Sequence, residues 1–423
     1  MNVEQIVEYI NSFKLEGRSL GPERTQSFLD RLGNPEKSLK FVHVTGTNGK
    51  GSTCAYIASV LRKAGYRTGS FVSPHIVKFN ERMQCDGEYI TDDELIKLME
   101  EAQPILESMD DPPTMFEIVV GLAFKHYVNK GCDIVVLEVG MGGDTDATNV
   151  IDTPEVAVVA TIGLDHVAAL GNELTDIARA KSGIIKGGDA VIYGSTKEVE
   201  DLFESVCKER GAILHKADFS RISNQVESLD GLKFNLEPYG EVMTGLLGSY
   251  QSKNATLAVT ALEILRSKGY NISDSNIVSG LRDVHWPGRF EVIGRNPVFI
   301  LDGAHNAEAV EVTADSLKRY FGDDKIVFII GAMSNKDVDT MVSFIAPLAK
   351  AFINARPDYE RAMESEIMEE KLSVYDAPVY TIDDFDQAVT QAISLAGSEG
   401  IVCVIGSLHF STDLRTSYNN IMQ

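Results

Sequence analysis

The sequence predicts an α/β protein: a P-loop-type, mostly parallel sheet with helices on both faces, followed by a smaller α/β, Rossmann-like domain. Three observations carry this. The apolar run Phe41-Val42-His43-Val44 leads into Thr45-Gly46-Thr47-Asn48-Gly49-Lys50-Gly51-Ser52-Thr53, after which Ala55, Ile57, Ala58, Val60 and Leu61 recur at helical spacing; this reads as strand, glycine-rich turn and helix. Apolar runs at 69–72, 134–139, 156–161 and 190–193 alternate with helical patterns, notably 92–107 and 116–129, as in a parallel sheet covered on both faces. Strand and helix patterns then start afresh after Gly294, with apolar runs at 298–301, 326–330, 351–354, 379–381 and 401–405.

Taken in order, residues 4–13 read as an amphipathic helix and a second short helix begins near Pro22. Residues 221–242 alternate in short runs with Gly231, Pro238 and Gly240 between them, predicting hairpins at a sheet edge. A helix over 254–267 is expected to end at Gly269, since glycine suits the left-handed C-cap. His285-Trp286-Pro287-Gly288-Arg289-Phe290 interrupts regular structure, so the boundary is expected near Gly294, giving domains 1–294 and 295–423. The acidic stretch 360–370 reads as a solvated helix, and the second domain has no phosphate loop of its own.

Length sets the two-domain expectation: 423 residues exceed one ordinary core. Apolar content of 44% with 24% charged residues fits a soluble globular chain. No apolar run approaches the roughly 20 residues of a membrane span, and the acidic start Met1-Asn2-Val3-Glu4-Gln5 lacks a signal-peptide core. Five scattered cysteines (Cys54, Cys85, Cys132, Cys207, Cys403) form neither a metal spacing nor a disulfide framework, so a reducing cytoplasm is expected. A net charge of −23 argues against nucleic acid and anionic membranes as partners. An anionic ligand must then be held by a local cluster of cations and metal.

The glycine turn is built for such a ligand. Glycines let successive backbone N–H groups converge on an anion, and the helix N-terminus adds partial positive charge. Thr47, Asn48, Gly49, Lys50, Gly51 and Ser52 are the expected nucleotide contacts, with Lys50 reaching the β/γ-phosphates and Ser52 binding Mg²⁺. One departure from the usual spacing stands out: Gly51 separates the lysine from the hydroxyl residue, and Val44 stands where a glycine is usual.

Other strand ends carry acids and histidines. Glu138 closes an apolar run and precedes Gly140-Met141-Gly142-Gly143-Asp144-Thr145-Asp146, which places a metal-binding carboxylate at the ligand edge of the sheet. Asp165 and His166 follow another strand, and His166 is a candidate divalent-ion ligand. Ser73-Pro74-His75 follows a third, with Ser73 either a hydroxyl ligand or a helix cap. Arg82 is open between an acidic substrate contact and a surface ion pair. Lys181, in Ala180-Lys181-Ser182-Gly183-Ile184-Ile185, is either a surface lysine or a helix-end lysine tucked against the core; burial near a metal would depress its pKa. Asn254 is a helix N-cap or a partner for a base. Arg289 can fork onto a phosphate, and Leu301-Asp302-Gly303-Ala304-His305-Asn306 repeats the strand-end theme; together these would complete an interdomain site.

In this order the motifs resemble the Mur ligase superfamily, and most closely its folate branch, the folylpolyglutamate and dihydrofolate synthases. The resemblance runs from Val44-Thr45-Gly46-Thr47-Asn48-Gly49-Lys50-Gly51-Ser52 through Ser73-Pro74-His75, Phe79-Asn80-Glu81-Arg82, Gly163-Leu164-Asp165-His166, Trp286-Pro287-Gly288-Arg289 and Asp302-Gly303-Ala304-His305-Asn306 to Gly406-Ser407-Leu408-His409. Gly51 is itself a mark of the folate branch. Two positions depart: other members carry a basic residue near Asp144, and many have alanine at Ser182.

The resemblance implies ATP-dependent ligation of L-glutamate to a folate carboxylate through an acyl phosphate, with folate or dihydropteroate as the other substrate. It implies one Mg²⁺ on Ser52 and Glu138, a second on Ser73, Glu138 and His166, and a carbamylated Lys181. Lys50, Lys181, Glu138 and His166 would form the catalytic set. Asn254 would meet adenine, Arg289 the phosphates, and Asp302 and His305 the ribose or phosphate side. A monovalent cation is a further candidate ligand, and the expected state is a monomer. Three rival readings remain. A peptidoglycan-precursor ligase is disfavoured by Gly51 and by the lack of a further N-terminal substrate domain. A P-loop kinase or NTPase switch would release ADP without glutamate. A non-catalytic nucleotide-binding regulator would have little use for the full set of metal and phosphate groups.

Overall fold

The computed structural model describes residues 1–15, 19, 21–359 and 361–422. It divides into two compact units, one of Met1–Ile222, Leu236–Val242 and Lys253–Val284, the other of Ser223–Asn235, Met243–Ser252 and His285–Gln423.

The first unit contains eight strands: β1 (Phe41–Thr45), β2 (Thr68–Phe71), β3 (Met83–Cys85), β4 (Glu88–Tyr89), β5 (Ile134–Glu138), β6 (Val156–Val159), β7 (Gly188–Ile192) and β8 (Ala212–Lys216). They form one sheet in the order β4-β3-β2-β5-β1-β6-β7-β8. All neighbours from β2 to β8 pair parallel, and β3 and β4 add an antiparallel edge. β1, β5 and β6 are buried at every position, as strands covered on both faces must be. The helices are α1 (Val3–Asn11), α2 (Glu23–Leu32), α3 (Lys50–Lys63), α4 (Asp92–Glu107), α5 (Met115–Lys130), α6 (Val167–Leu170), α7 (Leu174–Ser182), α8 (Lys197–Arg210), α9 (Gln251–Ser267) and α10 (Asp274–Arg282). α1, α2, α4 and α5 share one apolar cluster with Phe71, Val135 and Leu137. α7 and α8 share another with Val159, Ala190 and Ile192. α4 starts where Thr91 and Glu94 form a reciprocal capping box, which satisfies two otherwise orphaned N–H groups.

Residues 221–242 do form hairpins, but not at the edge of the large sheet. β9 (Ile222–Ser228), β10 (Gly231–Leu236) and β11 (Gly240–Thr244) make a three-stranded sheet of their own.

The second unit is built on β12 (Glu291–Arg295), β13 (Val298–Leu301), β14 (Ile326–Ile330), β15 (Ala349–Asn354), β16 (Val379–Thr381) and β17 (Ile401–Ile405), in the order β12-β13-β17-β14-β15-β16. β12 pairs antiparallel with β13, and the rest are parallel. The boundary expected near Gly294 therefore falls inside a strand, and the compact unit takes in residues from His285 onward. α11 (Ala307–Phe321), α12 (Val338–Ile345), α13 (Ser365–Leu372), α14 (Phe385–Ala396) and α15 (Leu408–Met422) cover its two faces. Of the acidic stretch 360–370, Glu360 lies outside the described residues; the helix begins at Ser365 and buries Ser365, Met368 and Leu372, so it is docked on one side. Among the described residues no helix is long and apolar enough to cross a membrane.

Candidate active site

The glycine turn between β1 and α3 is held in a conformation that other residues would resist. Gly46 has φ +149° and Gly49 has φ +83°. A Cβ at Gly46 would lie 2.6 Å from Ala160 Cβ, and one at Gly49 would lie 2.8 Å from Asn254 Oδ1. Glycine is thus required twice over, by backbone angle and by close approach. Side chains and backbone from the segment after β6 fasten the turn. Thr47 N–H donates to Thr161 O at 2.7 Å, and Asn48 N–H to Thr161 Oγ1 at 3.1 Å. Thr47 Oγ1 donates to Gly163 O at 2.9 Å and accepts from Gly163 N–H at 3.0 Å. α3 starts at Lys50 with Gly49 as its left-handed cap, so Gly51 and Ser52 lie in the first helical turn, with Ser52 buried. That turn carries the helix's partial positive charge.

Two lysines converge on one carbonyl. Lys50 Nζ donates to Gly46 O at 2.9 Å and Thr47 O at 3.2 Å. Lys181 Nζ, at the end of α7, donates to the same Gly46 O at 2.9 Å. Lys181 is 4% exposed, which decides between its two readings in favour of the core. Burial, reinforced by the charge of Lys50, lowers its pKa to about 7. The end of α7 is docked on the loop after β5: Asp144 N–H donates to Ala180 O at 2.9 Å, and a Cβ at Gly143 would lie 2.8 Å from Lys181 O.

β1 pairs with β5 so that Val44 stands opposite Glu138. The carboxylate is buried beside the start of the glycine turn, and Oε2 accepts from Ser73 N–H at 3.0 Å. No helix follows Ser73, which removes its helix-cap reading. The loop after Glu138 is tied down by Asp146, whose carboxylate accepts from Met141 N–H at 2.9 Å, Thr148 N–H at 3.0 Å and Thr148 Oγ1 at 2.5 Å. Thr148 Oγ1 also meets His43 Nε2 at 2.8 Å. His43 is fully buried, which drives its pKa down to about 3 and keeps the imidazole neutral.

Arg82 is neither exposed nor in a surface ion pair. It is buried and donates through Nε to His75 Nδ1 at 2.9 Å. Desolvation lowers its pKa to about 10, against the pull of Glu138 and Glu81. Glu81 organises the same loop by accepting from Ile76, Val77 and Lys78 N–H at 2.6, 2.8 and 2.7 Å. His166 stands exposed with φ +50° at the start of α6, and its N–H donates to Asp165 Oδ1 at 2.8 Å. Asn254 is not an N-cap: α9 begins at Gln251, and Asn254 lies buried in its first turns against Gly49.

In the second unit, Asp302 follows β13 and is buried. Its carboxylate accepts from Ala304 N–H at 2.9 Å and Thr313 Oγ1 at 3.0 Å, and from Phe290 N–H. Burial raises its pKa, and neighbouring Arg289 opposes that rise. Gly303 N–H donates to Gly288 O at 3.0 Å, and His305 Nδ1 meets Gly303 O at 2.8 Å. Because a carbonyl only accepts, Nδ1 carries the proton. Asn306 caps α11 by accepting from Ala309 N–H at 2.9 Å.

The first unit therefore gathers Thr47 to Ser52, Glu138, Ser73, Lys181 and Asn254 around the turn, and the second gathers Arg289, Asp302 and His305 around another. Sequence reasoning did not single out His43, Thr148 or the amide-collecting role of Glu81. Their partners are short-range in part, but nothing in their spacing announces them. Among the described residues no three His, Cys, Asp or Glu side chains form a metal cluster. Buried Ser52, in the first turn of α3, and buried Glu138, at the end of β5, nevertheless supply hard oxygen donors, the donor type Mg²⁺ takes when phosphate oxygens and water complete its shell.

The Mur ligase middle domain model matches residues 44–262, and the Mur ligase glutamate ligase domain model matches residues 288–408. The chain is 35% identical over 411 residues to the dihydrofolate synthase/folylpolyglutamate synthase of Bacillus subtilis, covering 93% of this chain and 94% of that one. It is 32% identical over 429 residues to the folylpolyglutamate synthase of Lacticaseibacillus casei, covering 98% of each. Among solved structures, Mycobacterium tuberculosis folylpolyglutamate synthase complexed with ADP and AMPPCP superposes with a TM-score of 0.89 at 26% identity, over 98% of this chain and 97% of that one. Escherichia coli FolC in complex with DHPP and ADP gives 0.87 at 28% identity, over 100% and 99%. Glycine turn, strand-end acids and second-unit turn thus occur in a chain that, by both domain matches and by full-length identity, belongs to the folylpolyglutamate/dihydrofolate synthase branch of the Mur ligases.

Proposed function

We propose that this protein is an ATP-dependent ligase that joins the amine of L-glutamate to a carboxylate of a folate. The observation that carries the reading is the pairing, in one chain, of a phosphate-binding turn in the middle-domain match with a glutamate ligase domain match over residues 288–408. A kinase or NTPase switch accounts for the first but leaves the second without a use.

The reaction runs in two steps. A carboxylate oxygen of the folate takes the γ-phosphoryl group, and ADP leaves. The glutamate nitrogen then attacks the acyl carbon, loses a proton, and phosphate departs as the amide forms. The first step is governed by positioning and charge neutralisation. The N-terminal turn of α3, from Lys50 to Ser52, is suited to hold the phosphates, with the Lys50 ammonium balancing charge on the β/γ oxygens. Ser52 and Glu138, and at a second position Ser73, Glu138 and His166, are the residues that would hold Mg²⁺, whose contribution would be to neutralise charge on the transferred group. Asn254, packed on Gly49, is the proposed adenine contact. Arg289 is the proposed phosphate contact of the second unit, with Asp302 and His305 on the ribose or phosphate side.

Lys181 is the proposed carbamate. Carbamylation needs a neutral amine, and a buried lysine whose pKa is about 7 has a large neutral fraction at neutral pH. The product is an anion, which suits a site that already holds Lys50 and would hold a metal. Five buried, unbridged cysteines fit a reducing cytoplasm.

The test is ADP release measured with and without glutamate, comparing dihydropteroate, dihydrofolate and reduced tetrahydrofolates as acceptors. Release is expected to need both glutamate and one of these pterins. Release that proceeds equally without glutamate would overturn the ligase reading. Turnover of dihydropteroate would add dihydrofolate synthase activity to it.

A further inference from the structure

Arg289 sits in a turn whose flanking amides are both fixed by carboxylates. Asp302 accepts from Phe290 N–H on one side, and Glu291 Oε2 accepts from Gly288 N–H at 2.6 Å on the other. Phe290 has φ +45°, a left-handed conformation that a bulky residue keeps only where its surroundings impose it. Glu291 is itself clasped by Arg415 from α15: Nη1 donates to Oε1 at 3.0 Å and Nη2 donates to Oε2. The two side chains are only 19% and 16% exposed. A two-pronged guanidinium–carboxylate pair fixes orientation as well as distance, so the clasp sets where the Glu291 carboxylate meets Gly288.

We propose that Glu291 and Arg415 are positioning residues for Arg289: through the Gly288 amide they hold the strained turn in the form that presents the guanidinium to the nucleotide. The proposal rests on the reading of Arg289 as a phosphate contact. It ties nucleotide affinity to Arg415 in α15, beyond the Gly406-Ser407-Leu408-His409 motif that opens that helix.

The test is binding of β,γ-methylene-ATP with Mg²⁺ to the full chain, by calorimetry, in a double-mutant cycle, with each variant's melting followed by circular dichroism. Arg289→Ala is expected to weaken binding about tenfold or more. Glu291→Ala and Arg415→Ala are each expected to weaken it roughly three- to tenfold, and Arg415→Lys, which keeps charge but not the fork, by less. In the Arg289→Ala background the Glu291→Ala effect should shrink below about twofold. Should Glu291→Ala not fold, Glu291→Gln replaces it in the cycle, since it keeps an acceptor for the amide. A Glu291 effect that persists in full without Arg289, or unchanged affinity on losing Glu291 while Arg289→Ala binds weakly, overturns the proposal. Unchanged affinity in Arg289→Ala instead sinks the phosphate reading of Arg289 itself.

Discussion

In the first unit, parallel strands end in glycine turns whose carbonyls are engaged by lysines: Gly46 O accepts from both Lys50 and Lys181. In the second, the turn before β12 and the turn after β13 have amides engaged by carboxylates: Asp302 takes the N–H groups of Ala304 and Phe290, and Glu291 that of Gly288. The polarity is opposite. In the first turn Thr161 takes the N–H groups of Thr47 and Asn48, and the ammonium groups with the α3 N-terminus carry the positive charge that suits an anion. Occupying amides with carboxylates commits the second turn's backbone to itself and leaves a side chain, Arg289, to do the binding. An α/β strand end can thus serve an anion through backbone or through side chain, and the choice dictates which substitutions hurt.

The largest effect should come from the first turn's charges. Lys50→Ala or Glu138→Ala is expected to lower ATP turnover by on the order of 10²–10³, read as glutamate-dependent ADP release. Near wild-type rates at saturating ATP and Mg²⁺ would remove both residues from the phosphate site. Lys181 comes next, and its effect splits between function and stability. Its folded pKa of about 7 lies below the ordinary 10.5, so the unfolded chain binds the proton more tightly between those values. Stability is therefore lost as pH falls from about 10.5 to 7, and the loss is complete below pH 7, on the order of 4–5 kcal/mol. In CO₂-free buffer Lys181→Met should melt higher than the unsubstituted chain at pH 7 and lose that advantage near pH 10.5, while losing most activity at any pH. An equal melting shift at both pH values would mean the amine is not the source.

Gly46→Ala should cost about 1–3 kcal/mol, because φ +149° and the Ala160 contact both oppose a side chain; denaturant melts measure it. In the second unit Asp302→Ala strands buried donors from Ala304, Phe290 and Thr313, with a loss of about 1–3 kcal/mol. Its effect on ATP affinity should nevertheless be smaller than that of Lys50→Ala. The reverse ranking would break the contrast between backbone-led and side-chain-led binding. Last, His43 is buried neutral with a pKa near 3, so stability should fall as pH drops below about 6.5. His43→Gln should flatten that part of the acid titration.

The strand, turn and helix of the phosphate site were legible because Phe41, Val42 and Val44 give β1 its apolar run and the glycines sit at fixed offsets from Lys50 and Ser52. The apolar runs of the second sheet were legible for the same local reason. β8 was not, because as an edge strand it is exposed or half-exposed at every position and its apolar stretch is only Ala212-Ile213-Leu214 before His215 and Lys216. β12 was hidden by Gly294 within it, which reads as a linker. Lys181 was left open between surface and core, because Gly183-Ile184-Ile185 suggest the core while Arg179 and Lys186 suggest a solvated face; the partner carbonyl that marks its burial lies 135 residues away. The Arg82–His75 contact and the seating of Asn254 on Gly49 are likewise products of packing that residue spacing does not encode.

All five thiols are unbridged and buried, and they are spread over separate elements: Cys54 in α3, Cys85 in β3, Cys132 just before β5, Cys207 in α8 and Cys403 in β17. Cys85 and Cys132, whose sulfurs lie 3.5 Å apart, report one place, and Cys54, Cys207 and Cys403 are built-in chemical reporters of three others. A thiol reagent has nothing to react with until some part of the fold opens, and the peptide that becomes labelled names the part that opened. Cys54 lies four residues from Lys50, and Cys403 lies at the centre of the second sheet. The order in which they label gives the order in which the two units loosen.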